Sequence, residues 1–133
     1  MYALVDSNVI LDILTNDPNW SQWSIDTLAK VSDRFELAIN PIIYAELSVG
    51  FQKIEDLDEA LVLFKRLPLP FEAGFLAGKV FVNYRKNQGD RKTPLPDFYI
   101  GPHAAISGIP LITRDTIYRT YFPTLELISP ERH

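Results

Sequence analysis

The stretch Tyr2-Ala3-Leu4-Val5-Asp6-Ser7-Asn8 decides how this chain is read. Four apolar residues in succession, with no polar alternation, predict a strand buried on both faces, as in a parallel sheet covered by helices. Asp6 ends the run. Ser7 or Asn8 is then expected to cap a helix whose inner stripe is Val9, Ile10, Ile13 and Leu14. The same pattern recurs downstream. Leu37-Ala38-Ile39 is a second short strand closed by Asn40-Pro41, and Pro41 suits the first position of a helix running toward Gly50. Pro110-Leu111-Ile112-Thr113 predicts a third strand, and Leu125-Glu126-Leu127-Ile128 a fourth. Further helices are expected from Ser21 or Ser24 through Val31, from Asp56 through Leu67, from Glu72 to about Asn87, and from Asp97 to Ser107-Gly108. Pro68-Leu69-Pro70 breaks the second of these, and Gln88 to Pro96 reads as a polar, basic loop. Short apolar strands alternating with helices give an α/β layered fold with a largely parallel sheet.

The 133 residues suit one domain of ordinary size, expected to span residues 1–133. Hydrophobic residues make up 47% and charged residues 23%, a globular composition. The absence of cysteine excludes disulfide scaffolds, thiolate zinc sites and cysteine nucleophiles. No apolar run approaches the ~20 residues of a membrane span, and the start lacks the basic flank of a signal peptide. The expected location is the cytoplasm. The net charge of -4 argues against a protein that coats nucleic acid by charge alone.

Ligands of open α/β sheets sit outside the carboxyl ends of the strands. Here those ends carry acids. Asp6 follows the first strand and Asp115 the third, while Glu46 lies one turn inside the helix after the second strand. Asp97 opens the helix that precedes the third strand. There is no phosphate-cradling glycine loop and no evident Ser-His pair. Converging carboxylates repel one another and raise their own pKa values. A hard divalent cation offsets that cost, and Mg²⁺ is commonly held by one or two carboxylates plus waters and phosphate oxygens. Mn²⁺ takes similar ligands. Such an ion polarises a phosphoryl oxygen and activates water. The residues therefore predict metal-dependent phosphodiester hydrolysis.

Four segments carry a resemblance. Val5-Asp6-Ser7-Asn8, Tyr44-Ala45-Glu46-Leu47, Pro96-Asp97-Phe98-Tyr99-Ile100-Gly101-Pro102-His103-Ala104 and Thr113-Arg114-Asp115 resemble the PIN-domain motifs, in family order. With the tail from Tyr118-Arg119 to Pro130, the chain resembles VapC-type toxin ribonucleases of type II toxin–antitoxin systems over roughly Tyr2 to Pro130. The resemblance implies a three-layer α/β/α sandwich and Mg²⁺- or Mn²⁺-dependent endoribonuclease activity. It also implies a homodimer and a cognate antitoxin that covers the active-site groove. Carried over by position, Asp6, Glu46, Asp97 and Asp115 are the catalytic and metal-binding acids, with Ser7, Asn8 and Thr113 as polar support. Ser7 stands where Thr is common, which keeps the hydroxyl. Pro102 falls inside the Asp97 helix, so a kink or a late helix start is expected.

The substrate expected is single-stranded or looped RNA, because A-form stems hide their base edges. Arg114, between Thr113 and Asp115, is placed to meet the scissile phosphate or an acid, and Arg85, Lys86, Arg91 and Lys92 form a basic run suited to RNA phosphates. Bland readings stand beside these. Asp12 is expected on a solvated helix face, His103 in the core, and Glu55-Asp56-Asp58-Glu59 at a helix N-terminus. Trp20 and Trp23 fit either the core or a binding surface. Alternatives are a solo PIN-domain RNA-processing nuclease, a phosphohydrolase using Asp6 as nucleophile, and a non-catalytic binding module on the same fold.

Overall fold

The computed structural model describes residues 1–87 and 96–130. Five strands form one parallel sheet: β1 (Tyr2–Val5), β2 (Glu36–Ile39), β3 (Lys65–Arg66), β4 (Leu111–Ile112) and β5 (Leu127–Ile128). Their spatial order is β3-β2-β1-β4-β5. Successive strand residues point to opposite faces. Ala3, Leu4 and Val5 are all fully buried, as are Leu111 and Ile112, so helices cover both faces of the sheet centre. Each such Val, Leu or Ile side chain contributes about 1.5–3 kcal/mol. The result is the α/β layering read from the strand pattern, in the three-layer form that the family resemblance implies.

Seven helices among the described residues fill the outer layers: α1 (Ser7–Leu14), α2 (Ser21–Val31), α3 (Pro41–Ser48), α4 (Ile54–Ala60), α5 (Phe71–Lys86), α6 (Asp97–Ser107) and α7 (Ile117–Tyr121). Asn40 caps α3, its side-chain oxygen accepting from the Ile43 amide at 2.9 Å, with Pro41 at the first position. Gly108 closes α6 in the left-handed conformation, φ 65°.

The structure departs from the sequence reading in several places. The cap of α1 is Asp6, not Ser7 or Asn8: Asp6 keeps extended backbone and its carboxylate accepts from the Ser7 amide at 2.8 Å. The helix expected from Asp56 through Leu67 ends at Ala60, and Lys65–Arg66 instead pairs with Ala38 and Ile39 as edge strand β3. Two exposed basic residues carry no apolar signal, and an edge strand needs none. Helix α7 has no counterpart in the sequence reading; five residues are too few to show a helical period. Helix α6 begins at Asp97, so Pro102 does not delay its start. The basic loop, apart from Pro96, lies outside the described residues.

Gly101 marks the closest approach within this layer. A Cβ there would stand 2.7 Å from the ring of Phe122, itself buried against Tyr118. Overpacking costs ~1–3 kcal/mol. That outweighs the ~1 kcal/mol that Ala gains over Gly inside a helix. Gly101→Ala is therefore expected to lower the urea midpoint; an unchanged or raised midpoint would show that Phe122 yields freely.

A carboxylate cluster at the switch point of the sheet

Chain direction away from β1 reverses between β1 and β4, with β2 and β3 built to one side and β4 and β5 to the other. That is the switch point where open α/β sheets place their ligands. The register Val5↔Ile112 brings the next residues of both strands, Asp6 and Thr113, side by side. The Asp6 amide donates to the Ile112 carbonyl at 2.9 Å and the Thr113 hydroxyl donates to Asp6 Oδ2 at 2.8 Å. Thr113 Oγ1 in turn accepts from the Asp115 amide at 3.0 Å and from Asn8 Nδ2 at 3.3 Å. Asn8 Oδ1 accepts from the Arg114 amide at 3.3 Å. The Ser7 hydroxyl donates to Glu46 Oε1 at 2.9 Å and so ties α3 to the start of α1. The three supporting residues thus join the two strand ends and one flanking acid.

The fourth acid is joined by a residue that sequence reading does not single out. The Tyr118 hydroxyl lies 3.1 Å from Asp6 Oδ2 and 3.0 Å from Asp97 Oδ1. Tyr118 is fully buried on α7. A buried tyrosine hydroxyl needs a partner, and that rule is the one signal the sequence offers. A hydroxyl has one hydrogen. Both contacts are satisfied together only when one of the two acids is protonated. The electrostatics agree. Burial, with the charges of Asp6 and Asp115, pushes Asp97 up to about 7. Burial also raises Asp6 to about 6, against the lowering effect of the bonds from Thr113 and the Ser7 amide. Buried among acids, Tyr118 itself stays protonated.

Asp6 and Asp97 are thus bridged by one hydroxyl, Asp115 bears on Asp97, and Glu46 bears on Asp6. Among the described residues no three carboxylate or imidazole groups form a single ligating set. The donors are all oxygen, and two carboxylates completed by water match what Mg²⁺ takes. The chemistry of the pair Asp6 and Asp97 therefore fits such an ion, which these two would hold with Glu46 and Asp115 flanking them.

One expectation changes. Asp12 is not on a solvated face: it is 3% exposed, fixed by the Ser24 hydroxyl at 2.9 Å and by a two-pronged contact from Arg114. Arg114 Nε and Nη2 reach the two Asp12 oxygens at 2.6 and 2.8 Å, and its guanidinium lies over the Trp20 ring at 4.8 Å. In this structure Arg114 pairs with an acid, and the pairing neutralises the charge of buried Asp12. Arg85 and Lys86 are exposed on the last turn of α5, where cations suit the helix dipole. Arg91 and Lys92 lie outside the described residues. His103 is buried, its Nδ1 2.9 Å from Asn40 Nδ2. An amide nitrogen only donates, so Nδ1 accepts and the ring is neutral, in line with the lowering of its pKa by burial.

A family model for the PIN domain matches residues 3–121. The chain belongs to the PIN-domain family. Members of this family are generally nucleases and commonly use divalent metal ions. No curated protein sequence matches closely. Among solved structures, VapBC2 from Rickettsia felis bound to a fragment of its promoter DNA aligns with 98% of this chain and 100% of its own, at 18% identity and TM-score 0.75. VapBC-1 from nontypeable Haemophilus influenzae aligns over 97% and 98%, at 23% identity and TM-score 0.71. A toxin–antitoxin complex from Klebsiella pneumoniae aligns over 98% and 99%, at 21% identity and TM-score 0.69. At these identities the likeness shows the PIN fold. No helix among the described residues is long and apolar enough to cross a membrane.

Proposed function

We propose that this PIN protein is a single-domain, divalent-metal-dependent endoribonuclease that hydrolyses single-stranded or looped RNA. The observation that carries the reading is the pair Asp6 and Asp97, bridged by the Tyr118 hydroxyl at the switch point of a parallel sheet. Asp6 and Asp97 would hold a Mg²⁺ or Mn²⁺ ion, flanked by Glu46 and Asp115. Such an ion, when bound, polarises phosphate and favours deprotonation of water. The chain's own groups do the positioning. Thr113, Asn8 and the Ser7 amide aim Asp6, and the Ser7 hydroxyl aims Glu46. The Ile117 amide, donating to Asp115 Oδ1 at 3.0 Å, holds the last acid.

The biological role proposed is the toxin of a type II pair in the cytoplasm, paired with an antitoxin and dimeric. Support comes from the likeness of fold to chains of two VapBC structures and of a further toxin–antitoxin complex. A small antitoxin gene beside this one would favour that role over solo RNA processing.

The test is cleavage of a panel of cellular RNAs by purified protein. Wild type with Mg²⁺ or Mn²⁺ should yield discrete new ends, while EDTA or Asp6→Asn should abolish them. Cleavage that survives either treatment rejects the metal-carboxylate mechanism.

A further inference from the structure

Beside the carboxylate cluster the surface opens into a cleft of about 230 Å³ walled by Asp115, Trp20, Arg114, Arg119 and Ser129. Ser129 also borders a second cleft of about 540 Å³, which carries Trp23, Lys30, Arg34 and Glu126. Trp20 and Trp23 meet edge to face at 6.3 Å, so the two clefts share one aromatic wall. The trough therefore begins at an acid of the site and leads away over two partly buried indoles and several cations. Lys30, Arg34 and Arg119 are exposed. Among the described residues none of the three is paired with a carboxylate, whereas Arg114 is committed to Asp12. Arg119 is oriented by a bond of 2.6 Å to the Ser129 hydroxyl. In the second cleft Lys30 and Arg34 face one acid, Glu126, and in the first Arg119 faces Asp115, so three unpaired cations stand against two acids. In a chain of net charge -4 this is a local reversal of sign.

We propose that this trough is the track along which single-stranded RNA leaves the carboxylate site, Lys30, Arg34 and Arg119 holding its phosphates and the Trp20–Trp23 wall stacking its bases. The inference rests on the endoribonuclease reading and specifies its substrate path. The chemistry is that of sequence-tolerant single-strand binding: a cationic groove follows the backbone, and aromatic rings meet bases that lack a pairing partner. A duplex presents no free base faces to such rings. Since the cations are spaced along the trough rather than gathered at the acids, they would act on strand affinity and register. They are not placed to act on the bond broken.

The experiment measures binding of a fluorescein-labelled 12-nucleotide single-stranded RNA by anisotropy, with EDTA present so that it stays intact. Wild type, the double variant Lys30→Gln/Arg34→Gln, Arg119→Gln and the control Lys79→Gln on α5 are compared over a salt series. The double variant should weaken binding about 10-fold and flatten the log-log salt slope by about 1.4, which is ~0.7 per lost phosphate contact. Arg119→Gln should flatten it by about 0.7. The oligonucleotide should also quench tryptophan fluorescence in the wild type. Variants that bind no more weakly than Lys79→Gln, or absent quenching, overturn the track. So does a wild type that ignores RNA yet binds an acidic peptide through these residues. Cleavage with Mn²⁺ is scored separately: no cleavage with intact track binding rejects the nuclease reading alone, and cleavage with unaltered variant binding rejects the track alone.

Discussion

Asp97→Asn is expected to stabilise the metal-free protein at pH 8 by about 2 kcal/mol while lowering RNA cleavage at least 100-fold, roughly the upper loss seen when only an outer partner of a metal ligand is removed. In the wild type, Asp97 has its pKa raised from 3.8 to about 7, chiefly by burial and then by Asp6 and Asp115. Between about pH 4 and pH 7 the folded protein thus holds a proton that the unfolded chain has released. Where the folded state binds more protons, stability falls as pH rises. Asp6, raised to about 6, works in the same direction over the lower part of that window. Metal-free wild type should therefore lose stability from about pH 4 to pH 7 and level off above that. Asn at 97 mimics the protonated acid: its NH₂ donates to Tyr118 Oη, and the Tyr118 hydrogen is then free for Asp6. The variant should consequently show a flatter profile, meeting wild type near pH 4 and exceeding it at pH 8. Urea unfolding at four pH values with EDTA checks this. If the two profiles run parallel, Asp97 is not the group that carries the raised pKa.

Legibility in the sequence is uneven, for physical reasons. Strand β1, the residues of β4 and the buried end of β2 declare themselves because a strand segment buried on both faces must be apolar. Polar residues that stop such a run, like Asp6 and Thr113, fall at the carboxyl ends, where a site belongs. Asp6 is placed there without coordinates for the same reason, whereas Glu46 and Asp97 stand on helices and are picked out by their positions there and by resemblance. Strand β3 is illegible because its two residues carry no apolar side chain: Lys65 and Arg66 are exposed, and Arg66 is engaged by Asp58 and the Tyr44 ring rather than by the core. Tyr118 escapes notice because an aromatic residue in a core and one that presents its hydroxyl to two carboxylates look alike in one dimension. Asp12 misleads for the opposite reason. A lone acid beside an apolar stripe normally faces solvent, and nothing local announces that its partners lie 12 residues away at Ser24 and 102 away at Arg114.

Arg114→Ala should be strongly destabilising, losing about 3 kcal/mol. Its partner Asp12 has only 4% of its side chain exposed, and Arg114 has 25%. The two ends of this ion pair are therefore unequal. Removing the arginine strands a carboxylate that water cannot reach, with only the Ser24 hydroxyl left to solvate it. Removing the carboxylate leaves a guanidinium already near the surface and stacked on Trp20, free to turn outward. Asp12→Leu should accordingly cost much less, about 1 kcal/mol, and Asp12→Leu/Arg114→Met should restore most of what Arg114→Ala loses, since a well-packed apolar pair can replace a buried ionic one. Denaturant midpoints for the three variants decide the matter. Equal losses from both single replacements would mean that Asp12 reaches water after all, and a double variant as weak as Arg114→Ala would mean that the apolar pair does not fill the space between α1, α2 and the loop after β4. The same asymmetry separates structure from catalysis at this position: lost cleavage in Arg114→Ala should track the fraction unfolded and return when the protein is refolded by cooling.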